Sequence, residues 1–326
     1  MAMAPPLDYE IVLEDEARVD DTLWTSYLDS IAREGWPLDA SFRPMSRDAP
    51  NLRVVMARRK SDGTHLSSVG WFENHGDGTA YIGTYLTEEE ARGHGIGSIL
   101  WNMAMERMPK NLAMCLIAGP DMEAKYRSKW FPHVGNTLRS YDFGAGLKEA
   151  LEAILADSST VRNNLSTTTI TAPSVIEKVV DFDSKVTGRD RSVFLRSFFA
   201  CSAVQETAAL FDGDKLLGYG AAVPIPNPSG VYEVRMAPLF AETLHDAVKI
   251  LLTLVESILS KNPAAVFYLR SISDTAGEEL IERIREKVDP DDIVRPCKEL
   301  YSLPYVNPLD KKRFFMPHSH LLHFDA

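Results

Sequence analysis

Apolar positions along the chain alternate between two periods, and the changes mark its elements. In Asp20–Arg33, Leu23, Trp24, Tyr27, Leu28 and Ile31 recur at helical spacing, with Asp20 or Asp21 placed to cap the first turn. Tyr9–Leu13 before it is strand-like, and 35–50 reads as a loop. Three short runs rich in β-formers follow, Leu52–Arg58, Leu66–Phe72 and Thr79–Leu86, separated by Ser61-Asp62-Gly63 and Gly76-Asp77-Gly78. Asp-Gly pairs tolerate the positive φ of tight turns, so these runs predict an antiparallel meander. Ile96–Met108 returns to the helical period and stops at Pro109, where a proline cannot continue the helix. Leu112–Ile117 is almost wholly apolar, as in a strand buried on both faces. A helix over Met122–Trp130 and a strand over Thr137–Phe143 complete the order βαβββαβαβ.

A helix rich in alanine and leucine, Gly146–Ala156, then gives way to a polar stretch, Asp157–Thr171. Beyond it the same grammar returns. Helices are predicted near Val175–Asp181 and Arg191–Phe199, and strands at Glu206–Phe211, Lys215–Val223 and Val231–Met236. After these come a helix at His245–Leu259, a strand at Ala265–Leu269, a helix at Gly277–Lys287 and a strand at Lys298–Leu303. The predicted fold class is α/β, of the α+β kind with a mixed sheet, in two similar halves. Residues 1–146 form the first domain, 147–167 a helix and polar linker, 168–307 the second domain and 308–326 a C-terminal tail.

Composition narrows the class. The 326 residues allow about two domains, and 45% hydrophobic with 25% charged residues is a globular balance. No apolar run approaches the ~18 residues of a membrane helix, and the start, MAMAPPLDYE, has neither a basic nor an apolar leader region. Cys115, Cys201 and Cys297 are scattered and without metal-ligand spacing, which points to a reducing compartment, the cytosol. The net charge of −11 is shared by both halves. Such a chain lacks the basic footprint of a nucleic-acid binder and attracts cationic partners, amines among them.

The chemically informative stretch is Tyr85-Leu86-Thr87-Glu88-Glu89-Glu90-Ala91-Arg92-Gly93-His94-Gly95-Ile96-Gly97-Ser98. It joins a strand to a helix through three alternate glycines, so backbone N–H groups can converge on an anion at the helix start with no Cβ in the way. The pattern by itself fits a diphosphate cradle or an ordinary glycine-rich turn. A dinucleotide-binding turn would follow the first parallel strand, whereas this one follows a meander.

With this stretch the sequence resembles the GNAT superfamily of N-acetyltransferases. Arg92, Gly95 and Gly97 meet the family pattern Arg/Gln-x-x-Gly-x-Gly/Ala, and Tyr85, Leu86 and Thr87 occupy the strand that pairs with the pantetheine arm. Pro120–Phe131 resembles the family helix in which a tyrosine stands five residues before a phenylalanine; the tyrosine here is Tyr126, and Trp130 replaces the usual glycine. Ala32-Arg33-Glu34-Gly35-Trp36 resembles the acceptor-side loop of the YitH/HolE-type subgroup. Phe182–Leu195, Gly218-Tyr219-Gly220 and Ala237-Pro238-Leu239-Phe240 resemble that subgroup's C-terminal acetyltransferase-like domain.

The resemblance implies two GNAT-like domains in tandem, with acetyl-CoA as co-substrate and no metal. It also implies direct acyl transfer to a small amine, such as an arylalkylamine or an amino-acid derivative. Acetylation of a protein lysine or N-terminus, and a non-catalytic acyl-CoA-binding regulatory module, are the alternatives. It assigns acetyl-CoA binding to Tyr85, Leu86, Thr87, Arg92, Gly93, His94, Gly95, Ile96, Gly97 and Ser98, and the general acid to Tyr126. Thr79–Tyr85 contains no carboxylate, so Glu73 at the end of the preceding strand is the nearest candidate base, with water held by backbone carbonyls as the alternative.

Trp36, on a loop, is the candidate acceptor contact, while Trp24, Tyr27 and Trp71 read as core. His318-x-His320-x-x-His323 reads as a polar chain end rather than a metal site, and Glu88-Glu89-Glu90 as a solvated loop. Asp190-Arg191 fits a capping and ion-pair device as well as a substrate contact. The equivalent junction of the second half, Val231–Thr243, has no glycine, and Pro238 supplies no N–H. One CoA per chain is therefore expected, bound to the first half.

Overall fold

The computed structural model describes residues 7–34, 39–47, 49–157, 164–227 and 230–318. The first half runs β1 (Tyr9–Leu13), α1 (Glu14–Val19), α2 (Asp21–Arg33), α3 (Phe42–Ser46), β2 (Leu52–Arg59), β3 (His65–Asn74), β4 (Thr79–Thr87), α4 (Ile96–Arg107), β5 (Ala113–Ala118), α5 (Pro120–Lys129) and β6 (His133–Phe143). The predicted helix over Asp20–Arg33 is α2: Asp20 caps it by accepting from the Leu23 N–H at 2.9 Å. The five apolar residues that predicted α2 are all buried in one cluster, each worth ~1.5–3 kcal/mol of transfer free energy. The turns between β2, β3 and β4 carry Gly63 and Gly78 at φ of 73° and 77°, as their Asp-Gly pairs require.

After α6 (Gly146–Ala156) the second half runs β7 (Leu165–Thr168), α7 (Pro173–Thr187), α8 (Ser192–Ala200), β8 (Glu206–Asp212), β9 (Lys215–Ile225), β10 (Glu233–Ala241), α9 (Leu244–Lys261), β11 (Val266–Ile272), α10 (Ala276–Arg285), β12 (Asp292–Tyr301) and β13 (Phe314–Met316). Two of these strands were not expected: β7 lies in the polar stretch and β13 in the predicted tail. Two short helices of the first half, α1 and α3, were also unforeseen.

All thirteen strands join one mixed sheet, in the order β1-β2-β3-β4-β5-β12-β6-β11-β10-β9-β8-β7, with β13 on β10. The boundary near residue 147 thus divides the sequence but not the sheet. β12, the last long strand of the second half, lies between β5 and β6 of the first and pairs antiparallel with both. β6 in turn lies between β12 and β11. Each half completes its sheet with a strand of the other. α2 and α3 cover the same face as α8, since Met45 of α3 packs both on the α2 cluster and beside Phe198. α4 and α5 cover the opposite face of the first half.

Candidate active site

The site arises where two parallel strands part. β4 and β5 pair from Thr79 with Ala113 to Ile82 with Leu116, and no further. β4 stays on β3 as far as Thr87, with a bulge at Gly83. From Gly83 onward its other edge is open, and parallel strands that diverge at their C-terminal ends leave a crevice between them. A cleft of about 710 Å³ fills that crevice, lined along β4 from Tyr81 to Thr87, on β5 by Leu116 and Ile117, and on α5 by Met122, Lys125 and Tyr126. Cys297 of β12 closes it from the second half.

At the open end, Arg92 leads into the glycines. Gly93 and Gly95 have φ of 84° and 78°, and a Cβ on Gly95 would meet nothing within 4 Å. Helical bonding starts when Ser98 and Ile99 both donate to the Gly95 carbonyl at 3.1 Å, so the N–H groups at the start of α4 have no partner within the helix. Gly97 is glycine for another reason. Its Cβ would stand 2.7 Å from Thr87 Oγ1 and 3.0 Å from the Tyr85 hydroxyl, so it lets α4 sit close on β4. Ile96 is buried in the core and anchors the turn.

Tyr126 reaches the cleft from α5. Its ring stacks on Trp101 at 5.8 Å and 27° and meets Phe131 edge-on at 6.2 Å. Packing against Phe131 and facing the cleft are thus compatible. Burial, with Tyr85 adding to it, pushes its phenol up to about 12, so the hydroxyl keeps its proton at neutral pH. Trp130 takes φ −135°, which any residue adopts, and the Tyr126 carbonyl accepts from both Trp130 and Phe131 N–H. The tryptophan in place of glycine therefore leaves the turn intact.

Two sequence expectations need correction. Glu73 is not on the cleft: it sits at the opposite end of β3, paired in register with Ala80, where Trp71 Nε1 donates to it at 3.2 Å and Arg53 lies 3.5 Å away. Glu88 is not a freely solvated acid. His65, with Ser30 and Arg33, holds its carboxyl down at about 2, and Arg33 bridges it at 2.7 Å. Glu90 is engaged by Arg59. Asp190 accepts from Ser192 N–H at 3.0 Å at the start of α8, and Arg191 is buried 3.6 Å from Asp183, contacts of the capping and ion-pair kind, although both residues also line a separate cavity.

Trp36, His320 and His323 lie outside the described residues. Trp24, Tyr27 and Trp71 are core, and the Tyr27 hydroxyl is 2.8 Å from Thr84 Oγ1 on the cleft wall. Glu34, which bridges Arg92 at 2.9 Å across the cleft mouth, and Cys297 were both missed by sequence reasoning. Glu34 sat unremarked inside the acceptor-loop motif, and nothing local marks Cys297, because its place depends on a pairing 180 residues distant.

The matching crevice of the second half is closed. β10 and β11 pair only from Glu233 with Val266 to Arg235 with Tyr268, and β13 then takes the vacated edge, pairing Leu239 with Met316 and Phe240 with Phe314. A Cβ on Gly277 would lie 1.8 Å from the Phe315 carbonyl oxygen, which shows how tightly α10 clamps this strand. The helix start here caps itself: Thr243 Oγ1 accepts from Asp246 N–H at 3.2 Å and donates to Asp246 Oδ2 at 2.7 Å. Among the described residues no glycine cradle and no open edge remain at this junction.

Each half also resembles known proteins. Residues 17–123 match the acetyltransferase (GNAT) family, and 179–262 match the acetyltransferase (GNAT) domain. The chain is built of two GNAT domains in tandem. An uncharacterized protein of Caenorhabditis elegans is 26% identical over 325 residues, covering 98% of this chain and 99% of that protein. A putative acetyltransferase from Pyrococcus horikoshii superposes with a TM-score of 0.62 at 15% identity over 98% of each chain. A tandem GNAT protein from the clavulanic acid biosynthesis pathway does so with a TM-score of 0.62 at 16% identity, over 92% of this chain and all of that one. At these identities the structures attest the fold. GNAT chemistry is acyl transfer from acyl-CoA, and no helix among the described residues is long and apolar enough to cross a membrane.

Proposed function

We propose that the protein is an acetyl-CoA-dependent N-acetyltransferase acting on a small amine, with its one catalytic cleft between β4 and β5. The observation that carries this reading is the meeting, in one crevice, of an unpaired strand edge, a glycine-lined helix start and a protonated tyrosine. The edge of β4 from Thr84 to Thr87 offers backbone groups to the pantetheine amides, as a further strand would. The free N–H groups at Gly95–Gly97 and the open space over Gly95 suit a diphosphate, and Arg92 and Lys125 add positive charge beside it. His94 and Ser98 flank the same turn. The co-substrate supplies an acyl thioester, whose carbonyl is the electrophile.

In the transfer, the neutral amine attacks that carbonyl, the C–N bond forms, the C–S bond breaks, and the thiolate takes the proton of the Tyr126 hydroxyl. The amine's proton leaves to a base. A small acceptor is suggested by the apolar and aromatic inner end of the cleft, lined by Tyr81, Ile117 and Cys297, and the net charge of −11 suits a cationic amine. The YitH/HolE-type motifs extend this reading to the subgroup, and three cysteines that form no disulfide with one another suit a cytosolic protein. The test is thiol release from acetyl-CoA with a panel of small amines and of lysine peptides. Turnover with small amines supports the reading, turnover with peptides alone would replace the acceptor, and binding without turnover would leave a sensor.

A further inference from the structure

The cleft, taken as an acetyl-transfer site, needs a group to accept the amine's proton, and its walls hardly provide one. Among its described lining residues the single acid is Glu34, at the mouth and bridged to Arg92. Just behind the inner wall stands another. Glu299 lies on β12 directly across from Ile117 in the β5 register. It is two residues from Cys297 and so on the same face of the strand; Ile117 and Cys297 both line the cleft. Its side chain is 2% exposed. Oε2 accepts from the Asn136 N–H at 3.1 Å, the Tyr301 side chain interacts with the same carboxylate, and Oε1, fully buried, has no partner of good geometry among the described residues. A buried carboxylate oxygen left unspent is costly, and such groups concentrate where chemistry uses them.

We propose that Glu299, delivered by the second half, is the proton acceptor of the first half's active site, reaching the incoming amine directly or through one water. This rests on the reading of the cleft given above. Burial holds the Glu299 carboxyl above the ordinary carboxylate range, with the Asn136 N–H, Arg189 and Tyr301 pulling back part of the way. A carboxylate whose proton affinity is raised is the stronger base. The ionisable groups that face it are Tyr81 from β4, Cys115 from β5, Tyr301 on its own strand and Arg189 from the α7–α8 loop. Arg189 is in turn paired with Asp77 at 2.5 Å. Gly135 opposite makes room, since a Cβ there would stand 3.1 Å from Glu299 Oε2.

The variant Glu299→Gln keeps the shape and removes the charge. In the full chain, with acetyl-CoA and ethylamine as probes, it is expected to lower kcat by about 10²-fold with acetyl-CoA affinity unchanged. It should lose the acidic limb of the pH profile, and it should lose less with the weakly basic trifluoroethylamine, which arrives unprotonated. Glu299→Asp should keep the limb at reduced rate. Infrared difference spectra on pH titration supply a readout that needs no acceptor: a buried carboxyl band that titrates above the usual range and is missing in Glu299→Gln. Wild-type protein that binds no acetyl-CoA would take down the reading of the cleft. Equal turnover in Glu299→Gln and wild type would overturn this assignment alone.

Discussion

At the scale of single residues, Tyr126 and the glycines carry separable effects. Tyr126→Phe removes the proton donor while keeping the ring that stacks on Trp101. A fall in kcat of about 10²-fold with little change in acetyl-CoA affinity is expected, read from steady-state kinetics. Gly95 and Gly97 should part company. Gly95→Val puts a side chain into the space over the helix start, at a φ of 78° that also strains the backbone, and in protein shown to be folded should weaken CoA binding tenfold or more in a titration calorimeter, about 1.4 kcal/mol. Gly97→Ala meets Thr87 and Tyr85 instead, and should cost about 1–3 kcal/mol of stability in denaturant unfolding. The sequence alone marked the glycine turn and Tyr126, both of which lie at the cleft, because each is a local pattern whose meaning travels with its neighbours. It did not show Glu299 or Cys297, whose surroundings are made by strands far away in the chain, and it favoured Glu73 only because that residue is near in sequence.

At the scale of elements, the long strands and helices were legible from their periods, whereas β7 and β13, of four and three residues, carry too little pattern. Their existence follows from the edges they cover. The junction of α2 with the strand leading to the cradle is tied by Glu88, Arg33 and His65, and that tie has a pH signature. A carboxyl held near 2 in the folded chain and close to ~4.3 when unfolded contributes stability above the higher value, and loses it as pH falls toward the lower. Urea midpoints measured from pH 5 down to pH 2 should therefore show wild type losing its advantage over Glu88→Gln across that window, and parallel curves would remove the tie.

For the whole molecule, the interleaving of β12, β6 and β11 makes the halves inseparable. An isolated 1–146 fragment lacks the strand between β5 and β6 and is expected to be unfolded by circular dichroism, with fold and CoA binding restored on co-expression with residues 147–326. A fragment that folds alone and binds CoA with full affinity would contradict this. Calorimetry of the intact chain should count one CoA, because β13 closes the second crevice. The same topology also sets a clock on biosynthesis. β5 ends at Ala118 and cannot meet its partner until Tyr301 has been made. At ~5–20 residues per second that is a wait of roughly ten to forty seconds. Throughout it the nascent chain exposes an apolar strand edge of the kind that invites aggregation. A chaperone shielding that edge on the ribosome would raise the yield of active enzyme, and a premature stop anywhere before residue 301 would abolish the active site 180 residues upstream of it.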